Sequence, residues 1–153
     1  MISRDQYARI DKIIKRIRLV VSLLFILFLY LPFFLPILSS FSLLITLKES
    51  YAFREFIFLS IIVFLLAYFI VYNSKYLKKF MLAEISFSRL LGYIILLTSS
   101  IYGLCWGTFG WFAYQNGVAL CILFPFFGIF LGAIYSFISS LIILNLRKRI
   151  LKP

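Results

Sequence analysis

The sequence predicts an all-α membrane protein, four transmembrane helices in a single domain over residues 1–153, with both termini cytoplasmic. Three observations predict it. Hydrophobic residues fill 64% of the 153 positions and charged residues only 14%, with a mean hydropathy of +1.08. A soluble domain carries about 25% charged residues, so too little polar side chain is present to clothe a water-facing surface. Second, the 57 residues from Leu90 to Leu146 contain no Asp, Glu, Lys or Arg. As one helix they would run roughly 85 Å at ~1.5 Å per residue, nearly three times the ~30 Å hydrocarbon core, so the segment turns back once. Third, 14 of the 16 basic residues lie before the first apolar stretch, between the second and third, or after the fourth. Positive charge stays cytoplasmic, and these three segments agree on one orientation.

The chain opens with an expected amphipathic interfacial helix. Ser3-Arg4-Asp5-Gln6 fits a capping box. Ile10, Ile13, Ile14 and Ile17 then recur at helical spacing, opposite Arg9, Lys12, Lys15 and Arg16. Such a segment is expected to lie along the inner membrane surface, with docking to a cytoplasmic partner as the alternative. The apolar run behind it is too long for a cleaved signal sequence, and no small-x-small site follows.

Span one is expected over about 19–40. Pro32 and Pro36 kink its outer end, where neighbouring helices or water can satisfy the freed carbonyls. The competing reading is a re-entrant hairpin, which would invert every later segment. Ser39 to Glu55 forms the only sizeable outer segment. Its charges, Lys48, Glu49, Arg54 and Glu55, sum to zero. They mark a neutral connector or the contact loop that an outer partner would read. Span two follows over about 56–73.

The middle loop, Ser74 to Arg89, carries Lys75, Lys78 and Lys79 among Tyr76, Leu77, Phe80, Met81 and Phe87. A short interfacial helix is expected there. Span three covers about 90–113, with Trp106, Trp111 and Tyr114 as an aromatic belt near its outer end. Asn116-Gly117 marks the turn, and span four runs over about 118–146 to the basic tail Arg147, Lys148, Arg149. The basic clusters suit anionic lipid headgroups. Because they flank apolar spans, nucleic-acid binding is not expected.

Small residues carry the packing information. Ser99, Gly103 and Gly107 stand four apart in span three, and Gly128, Gly132, Ser136 and Ser140 do so in span four. Lipid supplies no hydrophobic force between helices, so close backbone approach must drive association, and small residues at i, i+4 permit it. A turn near residue 116 sets Gly103 opposite Gly128 and Ser99 opposite a position near 132. The stripes face each other within one chain or, alternatively, face a second membrane protein.

The chemistry expected is none. There is no histidine, and the five acids, Asp5, Asp11, Glu49, Glu55 and Glu84, all lie outside the apolar spans. General acid–base catalysis needs a placed titratable group, and metal catalysis needs a ligand cluster. Cys105 and Cys121 sit several positions out of register, so no disulfide is expected. The hydroxyls of Ser60, Thr98, Ser99, Ser100, Thr108, Tyr68, Tyr93, Tyr102 and Tyr135 are expected to bond between helices. No enzyme, cofactor or metal is expected.

The function expected is therefore that of a small non-enzymatic protein of a bacterial inner membrane, acting through helix contacts with another membrane protein or itself. It would serve as a complex subunit or as an immunity, exclusion or defence factor. In composition the whole chain is similar to bacterial immunity proteins against pore-forming bacteriocins, which are small, basic, phenylalanine-rich and cross the inner membrane three or four times. The likeness rests on no motif. The alternative is a homo-oligomeric pore, a holin-like factor or a small carrier.

Overall fold

The computed structural model describes residues 4–34, 51–115 and 122–151. Among them every regular element is helical. α1 spans Arg4–Phe34, α2 Tyr51–Leu66, and a π turn, Ala67–Val71, extends α2 directly. α3 covers Ser74–Met81, α4 Phe87–Gln115 and α5 Phe124–Leu151. Two of these helices are long and apolar enough to cross a membrane, through Phe87–Trp111 and Phe124–Arg149. A third crossing results if Ser60–Val71 and Ser74–Met81, bent by 43°, form one broken span.

The amino-terminal segment differs from expectation. The amphipathic stretch and the apolar stretch form one 31-residue helix without a break, roughly 46 Å long at ~1.5 Å per residue. A single buried stripe runs along it, through Ile10, Ile14, Ile17, Val21, Phe25 and Leu29. The isoleucine face is covered by protein. It packs against α3, whose own inward face buries Leu77, Phe80 and Met81. The helix includes Pro32, while the capping-box Ser3 and Pro36 lie outside the described residues.

α3 is the short helix expected in the middle loop, and its ends explain its length. Asn73 caps the start, its side chain accepting from the Lys75 amide at 2.9 Å. At the other end Glu84 N–H reaches back to the Lys79 carbonyl at 2.9 Å, the six-to-one bond of a Schellman cap. That cap needs a left-handed residue, supplied here by Ala83 at φ 64°. Glycine is the usual occupant because a Cβ is strained there.

α3 also gathers the basic segments. Lys78 pairs with Asp11 of α1 at 2.9 Å, and the Arg147 guanidinium of α5 lies 4.6 Å from the Phe80 ring centre. The Tyr76 hydroxyl donates to the Arg89 carbonyl of α4 at 3.5 Å. The three basic regions of the sequence thus meet at one end of the helix assembly. Among their described side chains, Arg9, Lys12, Lys15, Arg16, Lys75, Lys79, Lys148 and Arg149 are exposed.

Candidate functional site

In the α4–α5 hairpin the two helix backbones approach closely. A Cβ placed on Gly132 would sit 2.7 Å from the Ser99 Cα, and one on Gly128 would collide with the Tyr102 carbonyl and the Trp106 Cβ. At these two positions any side chain forces the helices apart. Gly103 and Gly107 face less rigid neighbours: the Ile129 side chain at 2.8 Å and the Pro125 ring at 3.4 Å, respectively. Ser99 therefore meets residue 132 as the register predicts. Gly128 is offset by one position and sits on Tyr102 rather than Gly103.

Hydroxyls fill the polar part of this seam. The Thr98 and Ser136 hydroxyls close on one another across the interface, beside the Gly132 carbonyl, which lies 3.2 Å from Thr98 Oγ1. Thr98 also reaches the Ile94 carbonyl one turn back, at 2.8 Å. Ser99 lies in the same seam, and its Oγ, like that of the buried Ser140 on α5, has no protein partner. Of the expected stripe, Ser136 alone uses its side chain to bond across helices. The others contribute by being small.

A second polar layer joins the hairpin to α1. The Tyr135 hydroxyl of α5 donates to the Val21 carbonyl, and the Tyr102 hydroxyl of α4 donates to the Phe25 carbonyl one turn further on, at 2.7 Å. Since Val21 can only accept there, Tyr72 must donate to Tyr135, 2.7 Å away. Phe25 fills the space between, its ring 4.5 Å from Tyr102 and 5.3 Å from Tyr135. All three tyrosines are buried.

The π turn is held by the same means. A helix end leaves carbonyls without intrahelical donors, and a π turn commonly marks such an irregularity. The Tyr68 carbonyl accepts from Arg18 Nε at 3.1 Å and Nη2 at 2.8 Å. The Ile70 carbonyl accepts from the Tyr93 hydroxyl at 2.6 Å. Arg18, counted from sequence only as a flanking positive charge, is thus a structural donor with its guanidinium 4.1 Å above the Tyr68 ring.

The aromatic belt is smaller than expected. Trp106 is buried, its ring within 6 Å of Phe109, Phe124 and Phe127. It is interior packing, because the glycine at 128 lets α5 close over it. Trp111 and Tyr114 remain exposed at 62% and 57%. Between them and Pro125 lie two open hollows of about 350 and 450 Å³, floored by Gly103, Gly107 and Gly110. Pro125 stands in the first turn of α5, where its missing N–H costs nothing.

Cys105 is buried and free, while Cys121 lies outside the described residues, as do the Asn116-Gly117 turn, Lys48 and Glu49. Arg54 and Glu55 lie on the first turns of α2, with their side chains outside the description. Sequence reasoning missed Tyr72, Arg18 and Pro125 as site-building residues. A tyrosine inside an apolar stretch was the available signal for Tyr72. Nothing in the sequence announced that main-chain carbonyls would be the acceptors. No family model matches this chain, and it has no significant match among curated proteins or solved structures.

Proposed function

We propose that the chain is a four-span protein of a bacterial inner membrane, with both termini and the middle loop cytoplasmic. It works without catalysis, through contacts in the bilayer with another membrane protein, as a complex subunit or an immunity, exclusion or defence factor. The observation that carries this reading is the division of labour in the hairpin. The inward hydroxyls of Thr98, Tyr102, Tyr135 and Ser136 are engaged with the chain's own carbonyls or with one another. The outward face is apolar and shaped: Leu104 is 71% exposed and Phe126 70%, beside the hollows flanking Pro125. A polar path suited to conduction would instead need its hydroxyls turned toward an opening. In lipid, small-residue floors next to exposed large side chains favour a docked helix.

The test is a photo-crosslinking residue at Leu104 or Phe126 in native membranes, followed by purification in mild detergent. The expected outcome is a discrete adduct with a second membrane protein, from both positions. A sharp homo-oligomer that passes ions in liposomes would replace this reading with the pore or carrier. A reporter fused to the carboxyl terminus should remain cytoplasmic. Its appearance on the outer face would overturn the topology.

A further inference from the structure

The surface of the molecule changes character at the level of the π turn. Leu65, Leu66, Phe69 and Ile70 are exposed apolar residues, and so are Leu19, Val20 and Leu23 on α1. Just beyond them the exposed residues become cationic: Lys15 and Arg16 on α1, and Lys75 and Lys79 on α3. Arg18 stands on that boundary. Its bonds to the Tyr68 carbonyl and its stacking on Tyr68 fix the guanidinium plane. They leave the remaining N–H donors of the fork available. Among the described residues no carboxylate pairs with it, and Asp11 is committed to Lys78.

The opposite flank of the π turn is built similarly. Tyr93 bonds the Ile70 carbonyl and stacks on Tyr76 at 4.3 Å, which in turn bonds the Arg89 carbonyl. Lys75 and Arg89, both exposed, are held beside this aromatic pair. An oriented cation, Arg18, therefore adjoins the exposed Phe69 on one flank, and the exposed Lys75 and Arg89 stand by the aromatic pair on the other. This juxtaposition fits an amphiphile whose anionic head meets the cations while its chains lie along the apolar side. An acidic protein segment would leave that apolar side unmatched.

We propose that the π turn seats phosphate headgroups of anionic phospholipids of the cytoplasmic leaflet on its two flanks, one beside Arg18 and one beside Lys75 and Arg89, a proposal that rests on the membrane reading above. The isoleucine face of α1 is already buried against α3, so it adds no apolar insertion. The attraction is that of charge-assisted hydrogen bonds and falls with added salt.

The experiment titrates the full-length chain, in mild neutral detergent, with phosphatidylglycerol and in parallel with phosphatidylcholine and inorganic phosphate. Bound lipid is counted by native mass spectrometry. Phosphatidylglycerol should be retained in preference to both. Binding should weaken roughly tenfold in Arg18→Gln and roughly fivefold in Lys75→Gln. Lys148→Gln, the same charge change within the tail's own basic cluster, should weaken it clearly less. Lys75 bears no packing role, so its variant decides the matter even if Arg18→Gln misfolds. Equal retention of the two lipids, or equal losses in Lys75→Gln and Lys148→Gln, would overturn the seat while leaving the membrane reading intact. A chain that stays dissolved without detergent would sink the membrane reading itself.

Discussion

The two halves of the molecule are held together by different means. In the α4–α5 hairpin, backbone meets backbone: Gly128 and Gly132 let α5 settle onto Tyr102 and Ser99 with no room for a Cβ. Where α1 and the π turn join that hairpin and each other, long side chains reach across to main-chain carbonyls: Tyr135 to Val21, Tyr102 to Phe25, Tyr93 to Ile70 and Arg18 to Tyr68. The first seam depends on what is missing from the side chains, the second on a few terminal atoms. One tolerates no enlargement, and the other tolerates no loss of a hydroxyl or guanidinium.

The sharpest break in that comparison is Gly132→Leu. Overpacking against the Ser99 main chain should cost about 3 kcal/mol and separate the hairpin, read as a fall in the midpoint of denaturing-detergent unfolding. Gly92→Ala is the matched control. A Cβ there meets nothing within 4 Å, so the variant should be neutral or gain up to about 1 kcal/mol of helix propensity. If both variants lose stability alike, close approach is not what distinguishes the hairpin.

Tyr135→Phe probes the second seam. It removes the bonds to Val21 and from Tyr72 while leaving the ring contacts with Phe25, and should cost about 1.5 kcal/mol. A double-mutant cycle with Tyr72→Phe should show clear coupling between the two. Ala83→Gly works in the opposite direction. Relieving the left-handed alanine should add about 1 kcal/mol, visible as slower amide exchange in α3. Smallest is Asp11→Asn. Its exposed pair with Lys78 contributes about 0.5 kcal/mol or less, and that increment should vanish at high salt.

The same contrast explains what could be read from the sequence. A small-residue stripe is a pattern in one dimension, with period four, so Ser99 and Gly132 could be aligned across the turn from spacing alone. So could the boundaries of α4 and the existence of α3, since charge and turn residues punctuate them. Carbonyl acceptors leave no such trace, because every residue has one. Whether Val21 or Ile17 receives Tyr135 depends on how α1 is rotated against the hairpin. The fate of the amino-terminal isoleucines was hidden for a related reason. An apolar face at helical spacing looks the same whether lipid or another helix covers it, and only Leu77, Phe80 and Met81 arriving from α3 decide between them. Trp106 was misplaced because tryptophan near a span end is a statistical guide to the interface, whereas burial follows from the glycine opposite.

The pair of tyrosine bonds on α1 has a consequence for biogenesis. Val21 and Phe25 are gripped at adjacent turns, one by a hydroxyl from α5 and the other by a hydroxyl from α4. The berth for α1 is therefore shared between two helices that are translated after it. Because α1 is translated before both, it must wait until α4 and α5 have closed on each other, so order of synthesis and order of assembly run in opposite directions. A chain truncated before α5 would keep α1 but lose the Val21 half of its berth.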